Sequence, residues 1–227
     1  MSDHADQTGE APPKFRRRKE ARPDELLDAA LDLFTEQGFD RTTVEQIARR
    51  AGVSKGALYL YFPSKDAVIE NLVDRAVGHL VGEVVAQIEA FKGDPRVLLQ
   101  RFVPLFTARL TEARVIAVPK LVVREAVNHP QLAQMYRERV IGRVVPALTA
   151  LFRQGVAGGH IRAVDPEMAV RSLLGPVLMH VLLADVFGIW PEGATAEDIG
   201  IARLLDTHLS IFFAGLAPAT EQEAPHG

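Results

Sequence analysis

The sequence predicts an all-α protein of about nine helices. Apolar residues recur at intervals of three and four along most of the chain, which is the spacing of a buried helical face. No segment of useful length shows the strict apolar–polar alternation of a strand. The chain has 227 residues, of which 48% are hydrophobic, so we expect a small domain followed by a medium one.

The first three helices form a compact motif. We expect the first to run over 24–37 and to stop at Gly38. Thr43, followed by Gln46, fits a capping box at the start of the second helix. Gly52 is expected to take the left-handed conformation that ends this helix, and Ser54 to cap the third. Leu58 and Phe62 then lie one turn apart on its buried side. A helix-turn-helix needs these parts in this order.

The outer side of the third helix carries groups suited to nucleic acid. Lys55, Gly56 and Tyr59 point away from the core, and Gly56 costs roughly 1 kcal/mol against alanine unless something approaches the backbone closely. Tyr59 and Tyr61 place hydroxyls on stiff rings that suit phosphate oxygens. Lys65 opposes the dipole of the next helix and is better explained as a phosphate clamp. Three alternatives stay open: an ordinary helical hairpin in a core, Tyr61 as a packing residue and Lys65 as a solvated charge.

Charge is distributed unevenly along the chain. The net formal charge is −3, yet residues 14–65 alone carry +3. Five of the six residues in 14–19 are Lys or Arg, so residues 1–19 read as a disordered basic arm that lies along a DNA backbone or enters a minor groove. A solubilising tail is the equal alternative.

Several functional classes lack their sequence signatures. The chain has no cysteine, which excludes disulfides and thiol chemistry. There is no Gly-rich phosphate loop, no metal-ligand spacing and no Ser/His/Asp set, so we expect neither an enzyme nor a cofactor or metal. No apolar run approaches the roughly 20 residues of a membrane span, and no signal peptide is evident. We therefore expect a cytoplasmic protein without membrane contact.

The remaining helices follow from Pro, Gly and cap positions. One helix after Ser64 is expected to link two domains, and Thr195 to Asp198 has the form of a capping box. The expected ranges are 65–91, 95–111, 115–128, 131–154, 166–186 and 196–213.

The N-terminal motif resembles the tetracycline-repressor (TetR) family of bacterial transcriptional regulators. The match runs from about Pro23 to Leu72 and includes Ala29-Ala30-Leu31-Asp32-Leu33-Phe34, Thr42-Thr43-Val44 and Ala51-Gly52-Val53-Ser54-Lys55-Gly56-Ala57-Leu58-Tyr59, with Tyr61-Phe62-Pro63-Ser64-Lys65 behind them. The resemblance implies a three-helix, homeodomain-like DNA-binding domain and a C-terminal helical domain for ligand binding and dimerisation. It implies that the following residues occupy DNA-contacting positions: Thr43, Ser54, Lys55, Gly56, Ala57, Tyr59, Tyr61 and Lys65.

This organisation gives four expected segments. They are the basic arm at 1–19, the DNA-binding domain at 20–80 with its helix-turn-helix at 43–62, the C-terminal domain at 81–215 and a tail at 216–227. The last two helices are apolar on more than one face, so self-association would bury the excess. The resemblance implies a homodimer made by 166–186 and 196–213.

The function expected from these features is ligand-responsive transcriptional regulation. The hypothesis is a repressor that binds a pseudo-palindromic duplex as a dimer and is released by a small hydrophobic effector of unknown identity. An activator, or a helical interaction module without DNA binding, is the alternative. Candidate effector-binding residues are Phe102, Phe106, Arg109, Arg124, Met135, Tyr136, Phe152 and His180. The alternatives are that the phenylalanines and Met135 are plain core, that the two arginines are surface or ion-paired residues, and that His180 is a core or interface histidine.

Overall fold

The computed structural model describes residues 18–110, 112–185, 187–195 and 199–218. Within these ranges every regular element is helical, and the helical segments join into nine helices, which confirms the predicted fold class. Residues 1–17, most of the predicted basic arm, lie outside the described residues. So do residues 219–227 of the predicted tail.

The nine helices are numbered in chain order. Two of them contain a short π-helical segment, in which one extra residue per turn widens the helix. The bounds are α1 Arg18–Gln37; α2 Val44–Arg50; α3 Lys55–Tyr59; α4 Lys65–Val73 with π-segment Asp74–Gly78 and continuation His79–Ala90; α5 Pro95–Leu110; α6 Ala113–Glu125; α7 Pro130–Tyr136 with π-segment Arg137–Ile141 and continuation Gly142–Ala157; α8 Pro166–Asp185; and α9 Ile201–Leu216.

The chain divides into two compact units. The first unit is Met1–Asn71 and the second is Leu72–Gly227. In the first, Phe34, Ile47 and Leu58 come from α1, α2 and α3 in turn, and each is fully buried. The rings of Phe34 and Phe39 lie 5.4 Å apart between centroids. The three helices thus share one apolar core, which fixes the orientation of α3.

The core of the second unit is built from α4, α5, α7, α8 and α9. Phe152 of α7 is fully buried in the main hydrophobic cluster of this unit. Its ring packs edge to face against that of Phe212 of α9, with the ring centroids 6.0 Å apart. Two histidine side chains join α8 to the last part of the chain. His180 donates to the carbonyl oxygen of Ile199 at 2.7 Å, and His208 of α9 donates to that of Leu173 in α8 at 3.0 Å.

Several helix boundaries differ from the predicted ones. Helix α1 begins at Arg18 instead of Asp24, because good helix formers precede Pro23 and carry the helix through it. Helix α9 begins at Ile201, because Gly200 takes a left-handed conformation with φ +74° directly before it. The expected capping box at Thr195 reaches into residues 196–198, which lie outside the described residues.

The expectation that no segment approaches a membrane span holds only for uninterrupted apolar runs. Residues Pro166–Ala184 of α8 are long and apolar enough to cross a membrane by length and composition, with a mean hydropathy of 1.4, and 22% of that window is buried. The sequence shows no uninterrupted apolar run here because Glu167, Arg171 and His180 are interspersed. Length and composition alone are weak evidence for a span, but the small buried share shows that α8 leaves much apolar surface uncovered.

Candidate nucleic-acid interface

Helix α2 begins with the predicted capping box. The backbone N–H of Gln46 donates to Thr43 Oγ1 at 3.2 Å, and the backbone N–H of Thr43 donates to Gln46 Oε1 at 2.7 Å. Two backbone donors at the helix start are therefore satisfied by side chains. The Thr43 hydroxyl accepts from Gln46 in this arrangement, and its hydrogen bond with the Glu45 carboxylate helps to lower the pKa of that carboxyl.

The turn between α2 and α3 also follows the prediction. Gly52 has φ +68°, a conformation that costs little only for glycine, and the N–H of Val53 donates to the carbonyl of Ala48 at 2.9 Å. Ser54 then caps α3, since its Oγ accepts from the N–H of Ala57 at 3.2 Å. These local bonds set the direction in which α3, the reading helix, leaves the turn.

The reading helix buries one side and exposes the other. Leu58 is fully buried, and Phe62 is 4% exposed, whereas Lys55, Gly56 and Tyr59 are exposed. A Cβ added to Gly56 would meet no atom of the chain within 4 Å. Packing within the protein therefore does not require glycine at this position. The open backbone there suits the close approach of a ligand.

Lys55 has an acidic partner that the sequence spacing did not predict. Its ammonium forms an ion pair with the carboxylate of Glu45 on α2, and it lies 5.7 Å from the centroid of the Tyr59 ring. The hydrogen bond between the two side chains raises the pKa of Lys55 and lowers the pKa of Glu45. Both groups are thus charged at neutral pH, and a phosphate that binds Lys55 competes with Glu45 for its ammonium.

Other cations of the first unit are engaged as well. Arg50 binds Glu36 through two parallel hydrogen bonds of 3.0 and 2.8 Å. Lys65 donates to the carbonyl of Phe39 at 2.7 Å, and its ammonium lies 4.1 Å from the centroid of that ring. The predicted phosphate clamp is therefore tied to the α1–α2 connection in this structure. If Lys65 contacts DNA, its ammonium either retains the hydrogen bond to Phe39 or releases it in favour of a phosphate oxygen.

The other predicted DNA-contacting residues flank the exposed face. Ala57 and Tyr61 are half-buried, and the Tyr61 ring lies 6.4 Å from that of Phe62. The most exposed large hydrophobic residue in the described part of the first unit is not among the predicted DNA-contacting residues. Leu60 is 84% exposed. Its position was available from the sequence, because it lies two residues from each of Leu58 and Phe62 and so about 200° around the helix from both.

The eight candidate effector-binding residues are spread over several helices of the second unit. Phe152 belongs to the main core, Phe102 packs partly buried against it, and His180 is bonded to Ile199 as described. Arg109 is largely exposed, and its Nη1 lies 3.6 Å from Glu112 Oε1. The Nε of Arg124 lies 3.3 Å from Glu125 Oε1. Phe106, Met135 and Tyr136 are half-buried.

A groove in the second unit lies elsewhere, between α4 and α7. Its volume is about 570 Å³, and none of the eight candidate residues lines it. The small residues Gly142, Ala147 and Ala150 on α7 leave the space, and Glu89 and Arg143 contribute opposite charges to its wall. Sequence spacing gave no signal for this groove, because it depends on how two helices pack.

Comparison with known families agrees with this geometry. Residues 26–72 match the model described as bacterial regulatory proteins, tetR family, which spans most of the described first unit. Residues 91–187 match the model described as tetracyclin repressor-like, C-terminal domain. Together the two models cover more than half of the chain.

Individual relatives extend over most of the chain. The transcriptional repressor KstR2 of Rhodococcus jostii is 29% identical over 209 residues, covering 88% of this chain and 93% of KstR2. Among solved structures, the complex of SmeT, the repressor of a Stenotrophomonas maltophilia multidrug efflux pump, with triclosan has a TM-score of 0.68 at 24% identity, covering 91% and 96% of the two chains. FadR of Bacillus subtilis with stearoyl-CoA has a TM-score of 0.67 at 21% identity, covering 85% and 98%.

The likeness to SmeT and FadR shows the fold, and the two family models identify the two parts of the chain. A capped helix-turn-helix with an exposed reading helix is the part that enters a DNA groove in proteins of this construction. The chain belongs to the TetR family of bacterial transcriptional regulators, and it is a DNA-binding transcription factor and not an enzyme.

Proposed function

We propose that this regulator is a repressor that binds a pseudo-palindromic operator as a homodimer and leaves it when a small hydrophobic effector binds the second unit. The observation that carries the proposal is the reading helix, held by Ser54 and Gly52 with Lys55, Gly56 and Tyr59 on its open side. KstR2 and SmeT, which the chain resembles, are described as repressors. An activator differs only in where the operator lies relative to the promoter.

The proposed DNA-contacting set divides by chemistry. Contacts to the DNA backbone come from the hydroxyls of Thr43, Ser54 and Tyr61 and from the ammonium of Lys65. These groups suit phosphate oxygens. Lys55 and Tyr59 stand closer to the open face, where α3 meets base edges or the phosphates beside them. Gly56 and Ala57 are small enough to let the helix approach the groove floor.

The proposed dimer interface follows from uncovered apolar surface on α8 and α9. Met168, Leu174, Leu178 and Met179 project from α8 at helical spacing and are between 38 and 58% exposed. Ile211 of α9 is 68% exposed, and Ser210 and Ala214 beside it are small. Burial of apolar area contributes roughly 25 cal/mol per Å², so a second copy of the same surface would stabilise both.

Dimerisation also explains how one short helix achieves an operator-length contact. Two reading helices related by a two-fold axis bind half-sites about 34–36 Å apart, or a multiple of that distance. The proposed operator is therefore a pair of inverted half-sites in the major groove. We place this binding in the cytoplasm, where the DNA of a bacterial cell is found.

The effector is proposed to act by preferring one conformation of the second unit. A ligand shifts such an equilibrium only by its difference in affinity between the two states. SmeT has been solved with triclosan and FadR with stearoyl-CoA; triclosan and the stearoyl chain are apolar, whereas the coenzyme A group is polar and charged. The candidate residues are Phe102, Phe106, Arg109, Arg124, Met135, Tyr136, Phe152 and His180, and the groove between α4 and α7 is a second location.

The proposal is tested by selection of bound duplexes from a random DNA library with the purified full chain. The expected result is enrichment of one inverted repeat, bound by two chains, together with loss of binding when a hydrophobic effector is found by screening. Failure to enrich any duplex over bulk competitor, with protein stripped of small molecules, would overturn it. A promoter–reporter assay with the selected site then separates repression from activation.

A further inference from the structure

Leu60 is the residue directly after α3, at its C-terminal cap, and it lies on the open side of the reading helix. The backbone N–H of Phe62 donates to the carbonyl of Leu58 at 2.9 Å, and Leu60 itself has φ −66° and ψ −26°, so the helical turn continues through this position. Leu58 and Phe62 both face the core. Two residues rotate an α-helix by about 200°, so Leu60 points directly away from that core.

The neighbours of Leu60 leave it uncovered. Gly56, one turn earlier on the same side, has no side chain, and Ala57 carries a single methyl. Leu60 is 84% exposed, compared with 44% for Tyr59 beside it. A single exposed leucine is ordinary on a protein surface. A leucine that stays this exposed directly after a groove-entering helix, on its open side, is different, because it would lie against the groove that the helix enters.

The major groove offers such a side chain one apolar partner. Adenine, guanine and cytosine present hydrogen-bond donors and acceptors there, and thymine adds its C5-methyl group. A leucine placed against donors or acceptors removes their water without replacing the hydrogen bonds, which is unfavourable. Placed against a thymine methyl, it buries apolar area on both sides.

We propose that Leu60 reads the 5-methyl group of thymine in each half-site and is a determinant of sequence specificity. This inference rests on the proposed function and names one element of the operator that the proposed function leaves open. Burial of one methyl-sized group corresponds to about a fourfold change in affinity, so two half-sites together give roughly a sixteenfold change.

The test compares thymine with uracil in DNA of otherwise identical sequence. A duplex selected from a random library with the full chain is amplified with either dTTP or dUTP, and both products are titrated with wild-type protein. Wild type should bind the uracil duplex about four- to sixteenfold more weakly. Leu60→Ala should bind the thymine duplex more weakly by a similar factor and should no longer distinguish the two duplexes.

A matched control is available in the second unit. Val127 is 87% exposed, so Val127→Ala removes a comparable exposed apolar group outside the reading helix and should keep the wild-type ratio between thymine and uracil. Equal binding of both duplexes by wild type would overturn the inference. A uracil penalty that persists in Leu60→Ala would also overturn it, since another group would then read the methyl. Failure of the proposed function is distinct, because in that case no duplex is selected at all.

Discussion

The two units of this regulator differ in the kind of surface that they expose. In the described part of the first unit, Tyr59 and Leu60 are the large hydrophobic residues with substantial exposure, and the cations Arg50, Lys55 and Lys65 each have an internal partner. In the second unit, seven large exposed hydrophobic residues lie between Met168 and Trp190 alone. The first surface is suited to exchanging partners with a polyanion, and the second to permanent burial against another protein surface.

The largest expected effects come from the two cores, and they ask whether the units unfold separately. Leu58→Ala in the first unit and Leu151→Ala in the second each remove a side chain that is at most 2% exposed. Each should lower the free energy of unfolding by about 3 kcal/mol. Hydrogen–deuterium exchange of the full chain should show lost protection in α1–α3 for Leu58→Ala and in α7–α9 for Leu151→Ala. Equal loss throughout the chain in both variants would mean that the two units unfold as one.

The next prediction tests whether the apolar surface of α8 binds a second copy of the chain in a dimer. Leu178→Glu places a charge on a side chain that is 58% exposed, and it should convert a dimer to a monomer in sedimentation. Operator affinity should then fall at least a hundredfold, because the second half-site is no longer tethered. Leu105→Glu on α5, where Leu105 is 62% exposed, is the control and should remain dimeric. A dimeric Leu178→Glu variant would remove α8 from the interface.

A third prediction concerns alkaline pH and the second unit. Burial raises the pKa of Tyr136 from its ordinary 10.0 to about 12. The unfolded chain therefore loses this proton first, so the stabilising contribution is complete below pH 10 and declines as the pH rises towards 12. The loss should reach about 2 kcal/mol in urea titrations. Tyr136→Phe should lose less stability than wild type over this window, whereas Tyr59→Phe, at an exposed position, should follow wild type.

Most of the first unit could be predicted from the sequence because its signals are local. The capping box of Thr43 and Gln46, the left-handed Gly52 and the Ser54 cap each depend on residues within five positions of one another. The inward side of α3 followed from Leu58 and Phe62. The exposure of Leu60 follows from the same spacing, because Leu60 lies two residues from each of these buried side chains.

The parts that were missed depend on contacts between distant residues. The pairing of Glu45 with Lys55 needs the angle between α2 and α3, which no spacing encodes. The groove between α4 and α7 needs the packing of two long helices, each widened by a π-segment. The start of α9 was placed too early because a capping pattern at Thr195 looks stronger in sequence than the glycine that governs the turn, Gly200.

A smaller effect is expected where the first unit meets DNA. Lys55→Ala should weaken operator binding about tenfold and reduce the dependence on salt concentration by about one phosphate contact per half-site. The dimer should remain intact, since Lys55 lies in the other unit. Lys92→Ala removes the same charge from the second unit and should leave affinity unchanged. Equal titration curves for Lys55→Ala and wild type would reject the assigned face of α3.

The smallest expected effect is a gain in DNA affinity instead of a loss. It tests whether DNA exchanges with the acidic partner that Lys55 has in the free protein. Glu45→Gln removes the carboxylate that occupies Lys55 in the free protein, so affinity for bulk duplex should rise about two- to fivefold at low salt and approach wild type at high salt. Glu36→Gln is the matched control, because it also removes one negative charge, from the pair with Arg50. Because the pKa of Glu45 is lowered, its carboxylate in the wild-type protein stays charged at pH values below the usual range for glutamate. The gain in affinity should therefore not vary between pH 6 and 8. If Glu36→Gln gives the same gain, or if Glu45→Gln still gives it when Lys55 is alanine, the effect belongs to net charge and not to the pair.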